Sequence, residues 1–184
     1  MACDMRLSTL SPSVQLAQIE TSFGLNAGAG GALQLSRLIG LGRAFEYVFS
    51  SKDIDAKTAE QYGWINRAFP TSVEMYSYVQ SLAQRIALFP IDGIVASKTG
   101  MNEFSRPDLE TIVEDAQDKI AALTPEMVAL ATKFVEITGN QSIGKVELDY
   151  GDEVFALYNT STTGSSKQVT RGCQAVWNMP FRVC

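Results

Sequence analysis

Apolar and polar residues alternate from Asp4 to Ala17. Met5 and Leu7, and later Val14 and Leu16, each keep one parity, and Ser11-Pro12-Ser13 interrupts the pattern. A period of two predicts two short strands. After Gly40 the period changes: Leu41, Ala44, Phe45, Val48 and Phe49 recur at helical spacing, which predicts a helix with all five on its packed side. Asp55 is placed to cap "DAKTAEQYG", Gly63 suits the left-handed position after a helix end, and "WINRAFP" reads as a short strand closed by Pro70. Met75, Val79, Leu82 and Ile86 form a second amphipathic stripe broken at Pro90, and Ile91 to about Phe104 predicts another helix. Ile112, Val113, Ala116 and Ile120 form the next stripe. After the start signal Thr124-Pro125, Met127, Leu130, Ala131 and Phe134 repeat up to Gly139. "NTSTTGSS" reads as a polar loop and "KQVTRGCQAVW" as a short helix. Every strand candidate lies in the first seventy residues, too few for a sheet that stands unless something pairs with or covers it.

Composition narrows the function classes. A chain of 184 residues with 46% hydrophobic content can build one domain with a core. A net charge of -5 and the lack of a dense Lys/Arg block argue against nucleic acid as partner. No apolar run approaches the roughly 18 to 20 residues that span a bilayer. "MACDMRLSTL" also lacks the charged-then-apolar pattern of a signal peptide, so an intracellular protein is expected, with cytoplasm, mitochondrion and peroxisome not distinguished. Cys3, Cys173 and Cys184 form no C-x-x-C pair, which leaves a disulfide framework and a local zinc site without support. Histidine is absent, so acid-base chemistry falls to carboxylate, Lys, Tyr or backbone groups.

The stretch "ETSFGLNAGAGGALQLSRLIG", Glu20 to Gly40, holds the candidate chemistry. A dinucleotide fingerprint starting at Gly28 needs glycine where Leu33 stands, and no Gly-Lys-Ser or Gly-Lys-Thr follows, so neither a Rossmann turn nor a P-loop is present. Gly28, Ala29, Gly30 and Gly31 instead open a helix. Its N-H groups favour an anion or a developing oxyanion, unless the small residues serve only to let two elements approach closely. Glu20 lies between an apolar strand and an apolar helix entry, where a loop either turns the carboxylate into a cleft as a proton-transferring base or leaves it solvated. The acidic groups "EDAQD" and "DYGDE" read as solvated faces or turns, and no metal site is expected. Lys167 and Arg171, four apart, fit a ligand phosphate or a wet helix face.

These residues carry a family resemblance. "CDMRLST" followed by "QIETSFGLNAGAGGALQLSRLIGLGRAFEYVFSSKDIDAKTAEQYGWINRAFP" resembles the enoyl-CoA hydratase/isomerase (crotonase) superfamily. Its members show a Cys-Asp strand, a Glu-containing loop, a Gly-Ala-Gly-Gly helix start, an Arg-Ala helix, an Ala-Glu/Asp-Ala-x-x-x-Gly-Leu-Val-Asn segment and a proline. The matching residues are Cys3-Asp4, Glu20, Gly28 to Gly31, Arg43-Ala44, Thr58-Ala59-Glu60 with Gly63-Trp64-Ile65-Asn66, and Pro70. The likeness continues more weakly through "IVASK" at Ile94 to Lys98 and fades in the last forty or so residues.

The resemblance implies an α/β fold, a crotonase-like (ClpP/crotonase) spiral core of ββα units with a mostly helical C-terminal region that forms homotrimers or hexamers. It implies acyl-CoA as substrate with no cofactor, and Glu20 in the position of a catalytic carboxylate. In the family, both oxyanion donors and the first of the hydratase's two glutamates lie upstream of the Cys-Asp strand. The chain is therefore expected to match the family's C-terminal half, with a truncated core at 1–70, a helical or oligomerisation region at 71–184, and weak or no activity alone. The expected function is hydration or double-bond isomerisation of an acyl-CoA through a stabilised enolate. A non-catalytic oligomerisation module or subunit, and a divergent member acting on a non-CoA carbonyl compound, are the alternatives.

Overall fold

The computed structural model describes residues 3–120, 124–139 and 144–158. Among these, strands β1 (Leu7–Thr9) and β2 (Gln15–Leu16) come first, then a 3-10 turn at Glu20–Phe23. Helices α1 (Gly31–Ile39) and α2 (Leu41–Ser50), strand β3 (Ile54–Asp55), helix α3 (Ala56–Tyr62) and strand β4 (Arg67–Phe69) follow. The remainder is helical: α4 (Ser72–Ala87), α5 (Ile91–Ser105), α6 (Leu109–Ile120), α7 (Pro125–Ile137), the single turns α8 (Lys145–Leu148) and α9 (Tyr150–Glu153), and a second 3-10 turn at Val154–Leu157. The polar segment "NTSTTGSS" and the helix expected at "KQVTRGCQAVW", with Lys167, Arg171, Cys173 and Cys184, lie outside the described residues.

Two small sheets hold the strands. β1 runs parallel to β4, with Ser8 opposite Ala68, and β2 runs antiparallel to β3, with Leu16 opposite Ile54. β3 is an addition to the sequence reading: two residues with no alternation of their own become a strand because β2 offers them partners. Parallel strands need a crossover, and here α1, α2 and α3 supply it between β1 and β4. The local unit after α2 forms as its sequence dictates. The Asp55 carboxylate accepts the Thr58 N-H at 2.7 Å, Gly63 ends α3 at φ 83°, and such a cap is worth about 1 kcal/mol.

The main core joins α1, α2, α3 and the strands through Leu35, Ile39, Ala44, Val48, Ile54, Ala59, Trp64 and Ile65. The expectation for α2 is half right. Ala44 and Val48 are buried, but Leu41, Phe45 and Phe49 face outward, with Phe45 and Phe49 stacked at 5.1 Å between ring centroids. α4 and α5 contain no fully buried residue. Of the α4 stripe, Met75, Leu82 and Ile86 are half-buried and Val79 is exposed, while Leu88 just beyond α4 is 82% and Phe104 on α5 93% exposed.

A second cluster gathers Phe23 from the Glu20 turn, Phe134 from α7, and Tyr150, Val154 and Leu157 from the segment that follows. "DYGDE" is therefore not a solvated turn, because Tyr150 is buried within it. The segment docks through Gly151, whose N-H donates to Asp53 Oδ2 at 2.6 Å. Burial first, then the charges of Asp149, Asp152 and Glu147, push the Asp53 carboxyl above its ordinary 3.8, against the pull of the Gly151 N-H. Such a group holds its proton more tightly in the folded state. Its contribution is most favourable below the ordinary value and declines as pH rises through the raised one. Asp53→Asn keeps an acceptor for Gly151 and removes the charge. Thermal melts are expected to show a higher Tm than wild type at pH 7 and no difference near pH 3, and equal curves at both pH values would contradict this.

Candidate functional site

Glu20 opens the 3-10 turn directly after the β2 segment, so the carboxylate leaves the chain where strand gives way to helix entry. Gly24 ends the turn in the left-handed region at φ 76°, and the Leu25 N-H donates to Glu20 O at 3.0 Å. The turn is held on two sides. On one, the Thr21 hydroxyl donates to Val48 O at the end of α2 and lies 2.9 Å from Ser51 Oγ. On the other, Ser22 Oγ donates to Ile19 O at 2.6 Å and meets the Tyr150 hydroxyl at 2.8 Å, while the Tyr158 hydroxyl donates to Ser22 O at 2.6 Å.

Within this well-bonded turn one atom is left over. Glu20 Oε2 is buried and has no hydrogen-bond partner among the described residues. A buried carboxylate oxygen without a donor costs on the order of 1–3 kcal/mol, so folds retain one where something else supplies the donor. One oxygen of the carboxylate is thus turned inward, on a residue that is half-buried as a whole. Glu147 Oε2 shares the condition; it sits on the one-turn helix α8, near enough to Asp53 for its charge to act there.

The glycine turn has a different character. Ala29 at φ 52° and Gly30 at φ 78° are consecutive left-handed residues, and at Ala29 this costs on the order of 1 kcal/mol of backbone strain. Three of the N-H groups at the start of α1 are already engaged: Gly30 with Asp115 Oδ2 at 3.1 Å, Gly31 with Gly28 O and Ala32 with Ala27 O, both at 3.0 Å. The anion favoured by the helix start is thus supplied by α6, 85 residues along the chain. The Asn26 side-chain amide donates to the other oxygen of Asp115 at 3.4 Å. Close approach also has support, since a Cβ at Gly31 would come within 2.6 Å of Gln18 Oε1.

A cavity of about 940 Å³ lies elsewhere, between the start of β1, α1 and the α4–α5 pair, and neither Glu20 nor the glycines line it. Three of its polar groups pair with one another: Asp4 meets Lys98 and Arg106, each at 2.6 Å, and Lys98 first, then Arg106, hold the Asp4 carboxyl below its ordinary value. Size alone does not mark it as the site of the chemistry, and the buried unpartnered carboxylate outweighs it. No group of three or more metal-ligating side chains occurs among the described residues.

Spacing gave no sign of Asp115, Tyr150 or Tyr158, which reach their partners across 85, 128 and 136 residues. The one local hint was the buried-type residue Tyr inside "DYGDE".

Comparison with known proteins adds three findings. The sequence model described as enoyl-CoA hydratase/isomerase matches residues 1–136. A short-chain-enoyl-CoA hydratase of Clostridium acetobutylicum is 30% identical over 111 residues, which is 60% of this chain and 41% of that protein. Among solved structures, a Streptomyces avermitilis protein assigned to the enoyl-CoA hydratases superposes with TM-score 0.74 at 37% identity, over 88% of this chain and 56% of that one. One from Thermobifida fusca YX, solved with acetoacetyl-CoA, superposes with TM-score 0.52 at 27% identity, over 65% and 46% of the two chains. The chain thus spans about half the length of the relatives it matches.

Proposed function

Because the chain belongs to the enoyl-CoA hydratase/isomerase family and carries its crotonase-like α/β fold, we propose that Glu20 transfers the proton in the hydration or double-bond isomerisation of an acyl-CoA. The observation that carries this is the buried, unpartnered Oε2 of Glu20 on a turn whose other polar groups are bonded. In hydration, water oxygen bonds to the β-carbon, the double-bond electrons move onto the thioester as an enolate, and a proton is delivered to the α-carbon. Glu20 either takes the proton of the attacking water or supplies the one at the α-carbon. In isomerisation the same carboxylate removes a proton at one carbon and returns it at another. Each route needs donors on the thioester oxygen, a contribution typically of about 3–4 kcal/mol, besides the base. The substrate class follows from the family and from the T. fusca relative solved with acetoacetyl-CoA. The organic steps require no cofactor.

The motif order supports reading the chain as the later half of the family domain, with 1–70 as core and the helices after it as the assembly region. Gly28 to Gly31 are proposed to contact the substrate only through backbone not already engaged with Asp115. Among the described residues no helix is long and apolar enough to cross a membrane.

A second reading has its own observation. The outward apolar residues of α4 and α5 suit a surface buried in a homotrimer or hexamer, as an oligomerisation module would have. Calorimetric titration of acetoacetyl-CoA into the 184-residue chain, with sedimentation to give its oligomeric state, separates the two. A saturable isotherm supports the acyl-CoA reading. Trimers that take up no acetoacetyl-CoA would replace it with the module.

A further inference from the structure

We propose that Tyr150 and Tyr158 are positioning residues for Glu20: their hydroxyls grip Ser22 from behind the turn, so that the segment 144–158 fixes where the Glu20 carboxylate points. The inference rests on the proton-transfer reading of Glu20. It deepens that reading by naming what holds the base.

The donors can be assigned from the bonds already described. Ser22 Oγ spends its proton on Ile19 O at 2.6 Å, so at the 2.8 Å contact the Tyr150 hydroxyl donates and Ser22 Oγ accepts. Tyr158 donates to Ser22 O, the backbone oxygen of the same residue. One residue next to the base but one is thus held by side chain and main chain at once, from elements 128 and 136 residues away. Both phenols keep their protons for this: burial pushes Tyr150 up to about 12 and raises Tyr158 as well. Packing reinforces the grip. Phe23, the last residue of the turn, lies 4.9 Å from the ring of Phe134 and 6.4 Å from that of Tyr150. Thr21, the residue between Glu20 and Ser22, is tied to Val48 O and Ser51 Oγ, so the turn is anchored at two successive residues. A turn so anchored gives the base a fixed direction, which is what proton transfer at a carbon centre requires.

Tyr150→Phe keeps its ring in the cluster, Tyr158→Phe keeps its half-exposed ring, and singly or together they remove only the hydroxyls. The probe is a water-soluble carbodiimide with an excess of small amine, applied to the 184-residue chain and read residue by residue by peptide mass spectrometry. Glu20 is expected to couple about fivefold faster in each single variant, the scale of one lost hydrogen bond. The exposed Glu46 and Glu74 are expected to keep their wild-type rates. Unchanged coupling at Glu20, or a common rise at all three glutamates, would show that the hydroxyls only add general stability and would overturn the proposal. In an enoyl-CoA assay the same variants are expected to lower kcat with KM unchanged, and to add nothing when Glu20 is already Gln. Failure of the parent reading looks different: Glu20→Gln would leave turnover intact, while the coupling rates would still decide whether the tyrosines hold Glu20.

Discussion

Replacing Gly151 with alanine is expected to lower the Tm by roughly 10 °C. The added methyl would stand 2.6 Å from Asp53 N, 2.8 Å from Lys52 Cα and 3.1 Å from Lys52 C, all backbone atoms with no rotamer to yield. Overpacking of this kind costs about 3 kcal/mol when the surroundings must shift, and in a chain of this size each kcal/mol moves the Tm by about 2–4 °C. Backing away also breaks the Gly151–Asp53 hydrogen bond and draws Tyr150 away from Phe23 and Phe134. The controls share the chemistry but not the contact. Gly31→Ala meets the far end of the Gln18 side chain, which can swing aside, and Ala27 Cβ at an ordinary 3.4 Å, and is expected to be mild. Gly100→Ala, on exposed α5 with nothing within 4 Å, is expected to stabilise by about 0.5–1 kcal/mol because the helix interior loses a glycine. Differential scanning fluorimetry of the three variants checks the ranking, and a Gly151→Ala melt matching wild type would contradict the docking of this segment.

The contrast among these glycines shows what a sequence can and cannot say. Asp55, Thr58 and Gly63 could be read as one capped helix because every partner lies within a few residues, and they form as read. The strands near Leu7, Leu16 and Ala68 were legible from alternation, but their pairing was not: β1 meets β4 across sixty positions, and β3 became a strand only through β2. Glu20 could be singled out as a carboxylate at a strand-to-helix passage, whereas the burial of its unpartnered Oε2 could not be read from spacing. The helix start at Gly31 was equally legible, whereas its anion was not, since Asp115 belongs to an acidic run that reads as solvated in isolation. The apolar stripe of Met75, Val79, Leu82 and Ile86 was correctly placed on a helix, α4, and Ile91 to Phe104 on another, α5, yet neither helix holds a fully buried residue. Periodicity tells which face is apolar. It carries no information about which molecule covers that face.

Glu20→Gln is expected to reduce proton transfer by about 10²–10⁴-fold, the usual contribution of a positioned acid or base, with acetoacetyl-CoA binding changed by less than about threefold. The substitution keeps the side chain's length and leaves an acceptor oxygen, and it removes only the ability to take and return a proton. Solvent exchange is the most direct readout: in D2O, a carboxylate that works on the α-carbon of an acyl-CoA washes deuterium into that position without completing hydration. It therefore isolates proton transfer at the α-carbon from any shortage of a second carboxylate, which would depress full hydration. Glu20→Asp serves as the geometric test. It keeps the acid but draws it back by one methylene on a turn that Thr21 and Ser22 hold fixed, so exchange is expected to fall by about tenfold to a hundredfold, between wild type and Gln. Should Gln exchange as fast as wild type, Glu20 is not the base. Should Asp exchange as fast as Glu, the carboxylate matters but the rigidity of its turn does not, and the clamp formed by Tyr150 and Tyr158 loses its purpose.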